Sequence, residues 1–116
     1  MRNRGTAVVY RNGSVLLVRD RGKRNFSLPG GGIKRNEPAL SAAARELYEE
    51  LGMRATKAER IFSCDYKGSF TEHYVSLIET DDEPRIRSIE LVDFIWWDGK
   101  EKIQRYKHVD CILEKL

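Results

Sequence analysis

The stretch GGIKRNEPALSAAARELYEELGM, Gly31 to Met53, decides how the rest of the chain is read. Within it Leu40, Ala43, Ala44, Leu47 and Leu51 recur at three- and four-residue spacing, which makes an apolar stripe along an α-helix. Asn36 suits the N-cap, Pro38 the first turn, and Gly52 the left-handed position that closes a helix. Glu46, Glu49 and Glu50 stand at i, i+3 and i+4, so the spacing places three carboxylates on one helix face. Like charges so arranged destabilise an isolated helix by roughly 0.2–0.5 kcal/mol per pair. Two of them also sit in the last turn, where the helix dipole favours cations. Arg45 can pair with one carboxylate, but a single guanidinium cannot neutralise three. Oxygen-only ligands around such a charge deficit are the donor set that Mg²⁺ or Mn²⁺ prefers.

Gly30-Gly31-Gly32 precedes this helix and reads as a sharp bend whose backbone can approach a ligand closely. It is not a P-loop, because no Gly-Lys-Ser/Thr follows. Glu37 is a separate carboxylate at the helix entrance, where an anion favours the dipole. Working outward, Thr6–Tyr10 and Val15–Arg19 read as strands joined by an Asn12-Gly13 hairpin turn. Arg60–Tyr66 and Thr71–Glu79 read as two strands joined around Gly68, Leu91–Trp97 as a further strand, and Val109–Leu116 as a short final helix. Strands before, between and after one strong helix predict an α/β fold with a mixed sheet covered by helices.

These residues together resemble one family. The signature G-x(5)-E-x(7)-R-E-U-x-E-E-x-G-U, with U a bulky aliphatic residue, is filled by Gly31, Glu37, Arg45, Glu46, Leu47, Glu49, Glu50, Gly52 and Met53, every spacing correct. This is the Nudix box, and the chain resembles the MutT-like Nudix hydrolases. Ser27-Leu28-Pro29-Gly30, the N-terminal hairpin and the Leu91–Trp97 strand also resemble that family's flanks. The resemblance implies an α/β/α sandwich whose box, residues 31–53, forms a loop–helix–loop within one domain over residues 1–116. It implies Mg²⁺- or Mn²⁺-dependent attack of water on phosphorus in a nucleoside diphosphate linked to another group. Carried over by position, Glu46, Glu49 and Glu50 are the metal-binding and base-positioning carboxylates, and Gly31 lends its carbonyl to a metal. Arg45 orients the glutamates, and Glu37 and Gly52 hold the box together. Glu90, just before the Leu91–Trp97 strand, stands where relatives carry an acid that contacts metal or acts as base; Asp93 is its rival.

Arg19, Arg21 and Lys23, with Arg24, lie in or beside the loop that ends at the glycine turn, so cations there are expected to meet substrate phosphates. Residues 1–36 hold nine Lys or Arg against one acid, Asp20, whereas the remainder holds twelve against seventeen acids. That asymmetry suits metal-binding carboxylates facing phosphate-binding cations. His73 and His108 lack zinc-ligand spacing with Cys64 or Cys111, which read as two ordinary buried thiols, Cys64 in a half-buried strand. The longest wholly aliphatic run, Val15–Val18, is too short to span a bilayer, and the start of the chain lacks the apolar core of a secretory signal. The expected setting is the cytoplasm, as a monomer or homodimer, with no membrane and a small nucleotide as partner. A nucleoside triphosphate is favoured over a dinucleoside polyphosphate or ADP-ribose. The rivals are a non-catalytic nucleotide sensor, whose box would lose glutamates, and a nucleic-acid module, for which the stacking aromatics are missing.

Overall fold

The computed structural model describes residues 1–116. Its elements run β1 (Arg2–Val8), β2 (Tyr10–Arg11), β3 (Ser14–Asp20), β4 (Gly30–Gly32), α1 (Ala39–Leu51), β5 (Lys57–Arg60), a 3₁₀ turn (Phe62–Cys64), β6 (Tyr66–Lys67), β7 (Thr71–Glu79), β8 (Leu91–Trp97) and α2 (Lys107–Leu113). One sheet has the order β4-β1-β7-β5 with β6 also on β7, and β2-β3-β8 form a second. β1 and β7 are parallel while β4, β5 and β6 pair antiparallel, so the larger sheet is mixed.

Strand alternation builds two cores from one stretch of chain. Ala7, Val9, Leu16 and Val18 point to one side, where they meet Ala43, Leu47 and Leu51 of α1. Val8, Val15 and Leu17 point to the other, where they meet Val109 and Ile112 of α2. Burial on both faces explains why these strands are continuous apolar runs rather than alternating ones. The result is an α/β/α sandwich, as the box implied. No helix is long and apolar enough to cross a membrane.

The differences from the sequence reading have local causes. Thr6–Tyr10 is not one strand of a hairpin. The chain changes sheets at Val9: β1 runs parallel to β7, and only Tyr10 and Arg11 pair with Val15 and Ser14 across the Asn12-Gly13 turn. Both turn residues have positive φ, 52° and 79°, which is the twist a tight hairpin requires. Arg60–Tyr66 is broken after Arg60, because Asp65 takes the place of a strand neighbour. Its Oδ1 accepts the Val75 N–H at 2.7 Å while both its oxygens grip Arg60 at 3.0 and 2.8 Å. Cys64 is therefore fully buried in a 3₁₀ turn rather than half-buried in a strand. The triple glycine is a strand, β4, paired with Arg4–Thr6 of β1.

Helix α1 starts two residues later than an Asn36 cap requires. Pro38 occupies the N-cap, and Asn36 sits at φ 63° in the preceding loop. Gly52 closes the helix at φ 68°, its N–H reaching the Tyr48 carbonyl. Trp97 faces the core, while Trp96 is half-buried with the Arg11 guanidinium 4.9 Å above its ring.

Candidate active site

Arg45 is the hub of the box. Its Nε and Nη2 fork onto Glu37 at 2.8 and 3.0 Å, and its Nη1 donates to Glu46 at 2.7 Å and to Glu49 at 3.3 Å. Nη2 also donates to the Gly32 carbonyl at 3.0 Å, so one planar group ties the β4 strand to the helix. Glu37 in turn accepts the Lys34 N–H at 2.9 Å. The guanidinium and that amide hold the Glu37 carboxyl down at about 2, and the Glu37 carboxylate raises the pKa of Arg45.

The three helix glutamates stand at the spacing of one helix face but do not share one environment. Glu49 is half-exposed and Glu46 is largely covered, both beside Arg45. Glu50 turns inward: it is 8% exposed and its Oε1 is buried without a hydrogen-bond partner. Burial pushes its carboxyl up to about 8, with the neighbouring Glu46, Asp20 and Glu90 charges adding to the rise and Arg4 opposing it. No three His, Cys, Asp or Glu side chains converge into a preformed metal cage. The residues still fit a hard divalent cation, for two reasons. The donors are all oxygens, and a buried carboxylate oxygen with no partner and several like charges around it is a deficit that a cation fills.

Gly31 lies directly under this group. A Cβ built there would come within 2.0 Å of Glu46 Oε2 and 2.4 Å of Glu46 Cδ. A methyl group would displace the far end of a flexible side chain, which the fold tolerates and the site does not. Gly31→Ala is therefore expected to cut turnover by on the order of 10-fold or more with little change in Tm, checked by steady-state kinetics beside a thermal melt. Unchanged turnover would separate the Glu46 carboxylate's position from the chemistry.

The remaining expected site residues divide. Glu90 is exposed in the turn before β8, near enough to raise the Glu50 carboxyl, and its carbonyl accepts the Arg21 N–H at 2.6 Å. Asp93 is instead taken by Arg19, at 3.9 Å, and by the Phe94 N–H. Arg19 and Arg21 spend donors on the loops around them, on the Lys23 carbonyl at 3.0 Å and the Ile89 carbonyl at 2.8 Å, and Lys23 is exposed.

Sequence reasoning missed Arg4 and the part played by Asp20. Arg4, inside β1, donates to the Leu28 carbonyl at 2.9 Å, keeps a buried Nε without a partner, and is the cation opposing the Glu50 shift. The available signal was a charge within a strand segment, hidden because the strand was begun at Thr6.

A model of the NUDIX domain matches residues 1–109. The RNA pyrophosphohydrolase of Shewanella piezotolerans is 40% identical over 52 residues, 45% of this chain and 30% of that protein, so the match spans less than a third of its length. The crystal structure of a MutT NUDIX hydrolase from Burkholderia pseudomallei is 22% identical with a TM-score of 0.81, covering 99% of this chain and 97% of that one. A Caenorhabditis elegans Ap4A hydrolase is 19% identical with a TM-score of 0.75, covering 97% and 93%.

Proposed function

Because the chain belongs to the NUDIX domain family, we propose that it is a divalent-metal-dependent pyrophosphohydrolase acting on a nucleoside diphosphate linked to another group. Nucleoside triphosphates and related small nucleotides are its preferred class. The observation that carries this reading is the inward carboxylate of Glu50, buried without a partner beside a box whose other glutamates are held by Arg45. Keeping an unpartnered carboxyl buried costs stability, and a protein that served only as a scaffold would gain by replacing it.

In this mechanism Glu46, Glu49, Glu50 and the Gly31 carbonyl would hold Mg²⁺ or Mn²⁺, with Glu90 as a further ligand. A cation held there would supply charge neutralisation for the diphosphate and a lowered pKa for the attacking water. The water oxygen bonds to phosphorus as the bridging P–O bond breaks, the leaving phosphate keeps the bridging oxygen, and the proton lost by the water passes to solvent. Arg45 keeps Glu46 and Glu49 in place through the turnover, and Glu37 keeps Arg45 in place. Arg4 opposes part of the rise in the Glu50 carboxyl, and a bound cation would favour its carboxylate form. Arg21 and Lys23 supply positive potential at the loop edge for phosphates beyond the cleaved bond.

The relatives' names, an RNA pyrophosphohydrolase and an Ap4A hydrolase, add RNA to the substrate panel and keep a dinucleoside polyphosphate in it. The test is incubation with nucleoside triphosphates, ADP-ribose, diadenosine tetraphosphate and a 5′-triphosphorylated oligoribonucleotide, with products identified by mass. Cleavage is expected with Mg²⁺ or Mn²⁺, to cease with a chelator and to return on adding metal back. Full activity in chelator would overturn the metal mechanism, and metal-dependent binding without cleavage of any panel member would identify a sensor instead.

A further inference from the structure

Residues 80–90 carry the chain from the end of β7 to the start of β8, out of the larger sheet and into the second. They form neither helix nor strand, and on the way they pass the C-terminal end of α1. A helix leaves its last four carbonyls without partners inside it. In α1 the Gly52 N–H takes that of Tyr48 at 2.8 Å. The carbonyls of Glu50 and Leu51 instead accept the Arg87 and Arg85 N–H groups of the crossing segment, at 2.8 and 2.9 Å. Asp82 adds a third tie, its Oδ2 accepting the Arg54 N–H at 2.8 Å. The segment is therefore a strap across the end of the box helix, and one of its bonds is to the backbone of Glu50 itself.

The strap is fastened at both ends. At its far end Arg21 holds the Glu90 carbonyl with its N–H at 2.6 Å and the Ile89 carbonyl with its Nε at 2.8 Å. At its start stands Arg11 of β2, on the second sheet. One nitrogen, Nη2, donates to the carbonyls of both Thr80 and Asp82 at 2.9 Å. Nη1 reaches Glu83 at 3.2 Å, but that carboxylate is 83% exposed, so the pair contributes little. The guanidinium also lies 4.9 Å over the Trp96 ring of β8, with its own side chain 22% exposed. Ring and carbonyls together orient the group, and charge-assisted bonds to both carbonyls hold the turn between them in one geometry.

No bond joins Arg11 to the box residues themselves. Its influence runs along the strap, from the Thr80 and Asp82 carbonyls to the Arg54 amide, and on through Arg85 and Arg87 to the end of α1. Without that anchor the start of the strap is free to shift against the helix that carries Glu50, and Glu90 shifts with it. Moving a reacting group by about 1 Å from a distant position costs on the order of 10²-fold in rate.

We propose that Arg11 is a positioning residue for the box, anchoring the strap that sets where Glu50 and Glu90 stand for a divalent cation and for hydrolysis. The proposal rests on the hydrolase reading for its turnover, but two of its three measurements need none. In the metal-free protein, Arg11→Ala is expected to speed amide exchange at Arg54, Arg85 and Arg87 by on the order of 10-fold or more, with β1 and β7 unchanged. Its Mn²⁺ affinity, followed by the resonance signal of the free ion, is expected to weaken roughly 10-fold. At saturating Mg²⁺, kcat is expected to fall roughly 10-fold while KM for the nucleotide stays within about twofold. Arg11→Lys should fall between, because an ammonium can meet a carbonyl but lacks the planar fork, and it carries the test if the alanine variant fails to fold. Glu83→Ala, which removes only the exposed pair, should match the parent in all three.

The outcomes separate the two readings. Unchanged exchange at Arg85 and Arg87 in the Arg11 variants would overturn the proposal, because the strap would not depend on Arg11. Faster exchange with unmoved Mn²⁺ affinity and kcat would also overturn it, leaving Arg11 a structural residue and the hydrolase reading intact. Faster exchange and weaker Mn²⁺ binding in a protein that cleaves no panel substrate would uphold the positioning of the carboxylates and sink the hydrolase reading. A Glu83→Ala variant as impaired as Arg11→Ala would transfer the anchor to the exposed ion pair and overturn the role of the two carbonyls.

Discussion

Glu50→Gln is expected to lower turnover by on the order of 10²-fold or more while making the metal-free protein more stable at pH 8. The two effects share one cause. The Glu50 side chain is 8% exposed, its Oε1 is buried without a partner, and its carboxyl is pushed up to about 8 by burial and by the Glu46, Asp20 and Glu90 charges. A carboxyl raised above its ordinary value of 4.5 keeps its proton in the folded state, so the stability it permits is complete below 4.5. That stability is lost as pH rises through about 8. Glutamine keeps the shape and has no charge to lose. The variant's advantage should therefore grow from pH 5 to pH 8 and amount to about 2 kcal/mol or more at the upper end.

Mg²⁺ should reverse the order. A ligand that binds only the folded state stabilises it by RT ln(1 + [L]/Kd), and the cation needs the carboxylate deprotonated, so the parent's gain should increase with pH. Glu50→Gln should gain much less. Melting curves for both proteins, with and without Mg²⁺ at pH 5, 6.5 and 8, check all of this without an activity assay. A variant that melts with the parent at every pH in chelator would show that Glu50 is not held as a strained acid.

Much of this site was legible because a helix has a fixed period. The stripe through Ala43, Leu47 and Leu51, the left-handed Gly52 and the spacing of the box are local properties, and α1 ends where they place it. Leu91–Trp97 coincides with β8 for a similar reason, a β-rich run bounded by charge at Glu90 and by Asp98-Gly99. What was not legible depends on partners distant in sequence. Nothing in Thr6–Tyr10 announces that the chain changes sheets at Val9, because both halves are equally apolar and both find a core. Asp65 interrupts the Arg60–Tyr66 segment through a bond to the Val75 amide, ten residues away. The glutamates at i, i+3 and i+4 share a face of an isolated helix. Burial against the sheet then distinguishes Glu50 from Glu49, and it takes the three-dimensional neighbour Arg4 to show why the inward one is tolerated. Arg4 lies among the four residues by which β1 begins ahead of Thr6, outside the apolar run that marks the strand.

Arg45→Ala is expected to cost both stability and catalysis, and Arg45→Lys to recover little of either. The guanidinium reaches Glu37, Glu46, Glu49 and the Gly32 carbonyl at once, between 2.7 and 3.3 Å. An ammonium is a point charge and cannot keep that planar fork. Surface pairs contribute about 0–1 kcal/mol, whereas breaking a buried pair costs about 3–5. Here the side chains of Arg45, Glu37 and Glu46 are 21%, 14% and 18% exposed, so a loss of about 2–3 kcal/mol is expected for alanine. Most of it comes from carboxylates left facing one another. Adding Glu37→Gln to Arg45→Ala should thus restore part of the stability. It should restore none of the turnover, which is expected to fall on the order of 10²-fold because Glu46 and Glu49 lose their orienting partner. The acid limb supplies an independent check. In the parent the Glu37 carboxyl lies at about 2, below its ordinary 4.5, so its contribution is present above 4.5 and is lost as pH falls through about 2. In Arg45→Ala the carboxyl returns toward 4.5, and stability should stop declining over that window. Equal slopes of Tm against pH in the two proteins between pH 4.5 and 2.5 would mean that the Glu37–Arg45 pair does not hold the box together.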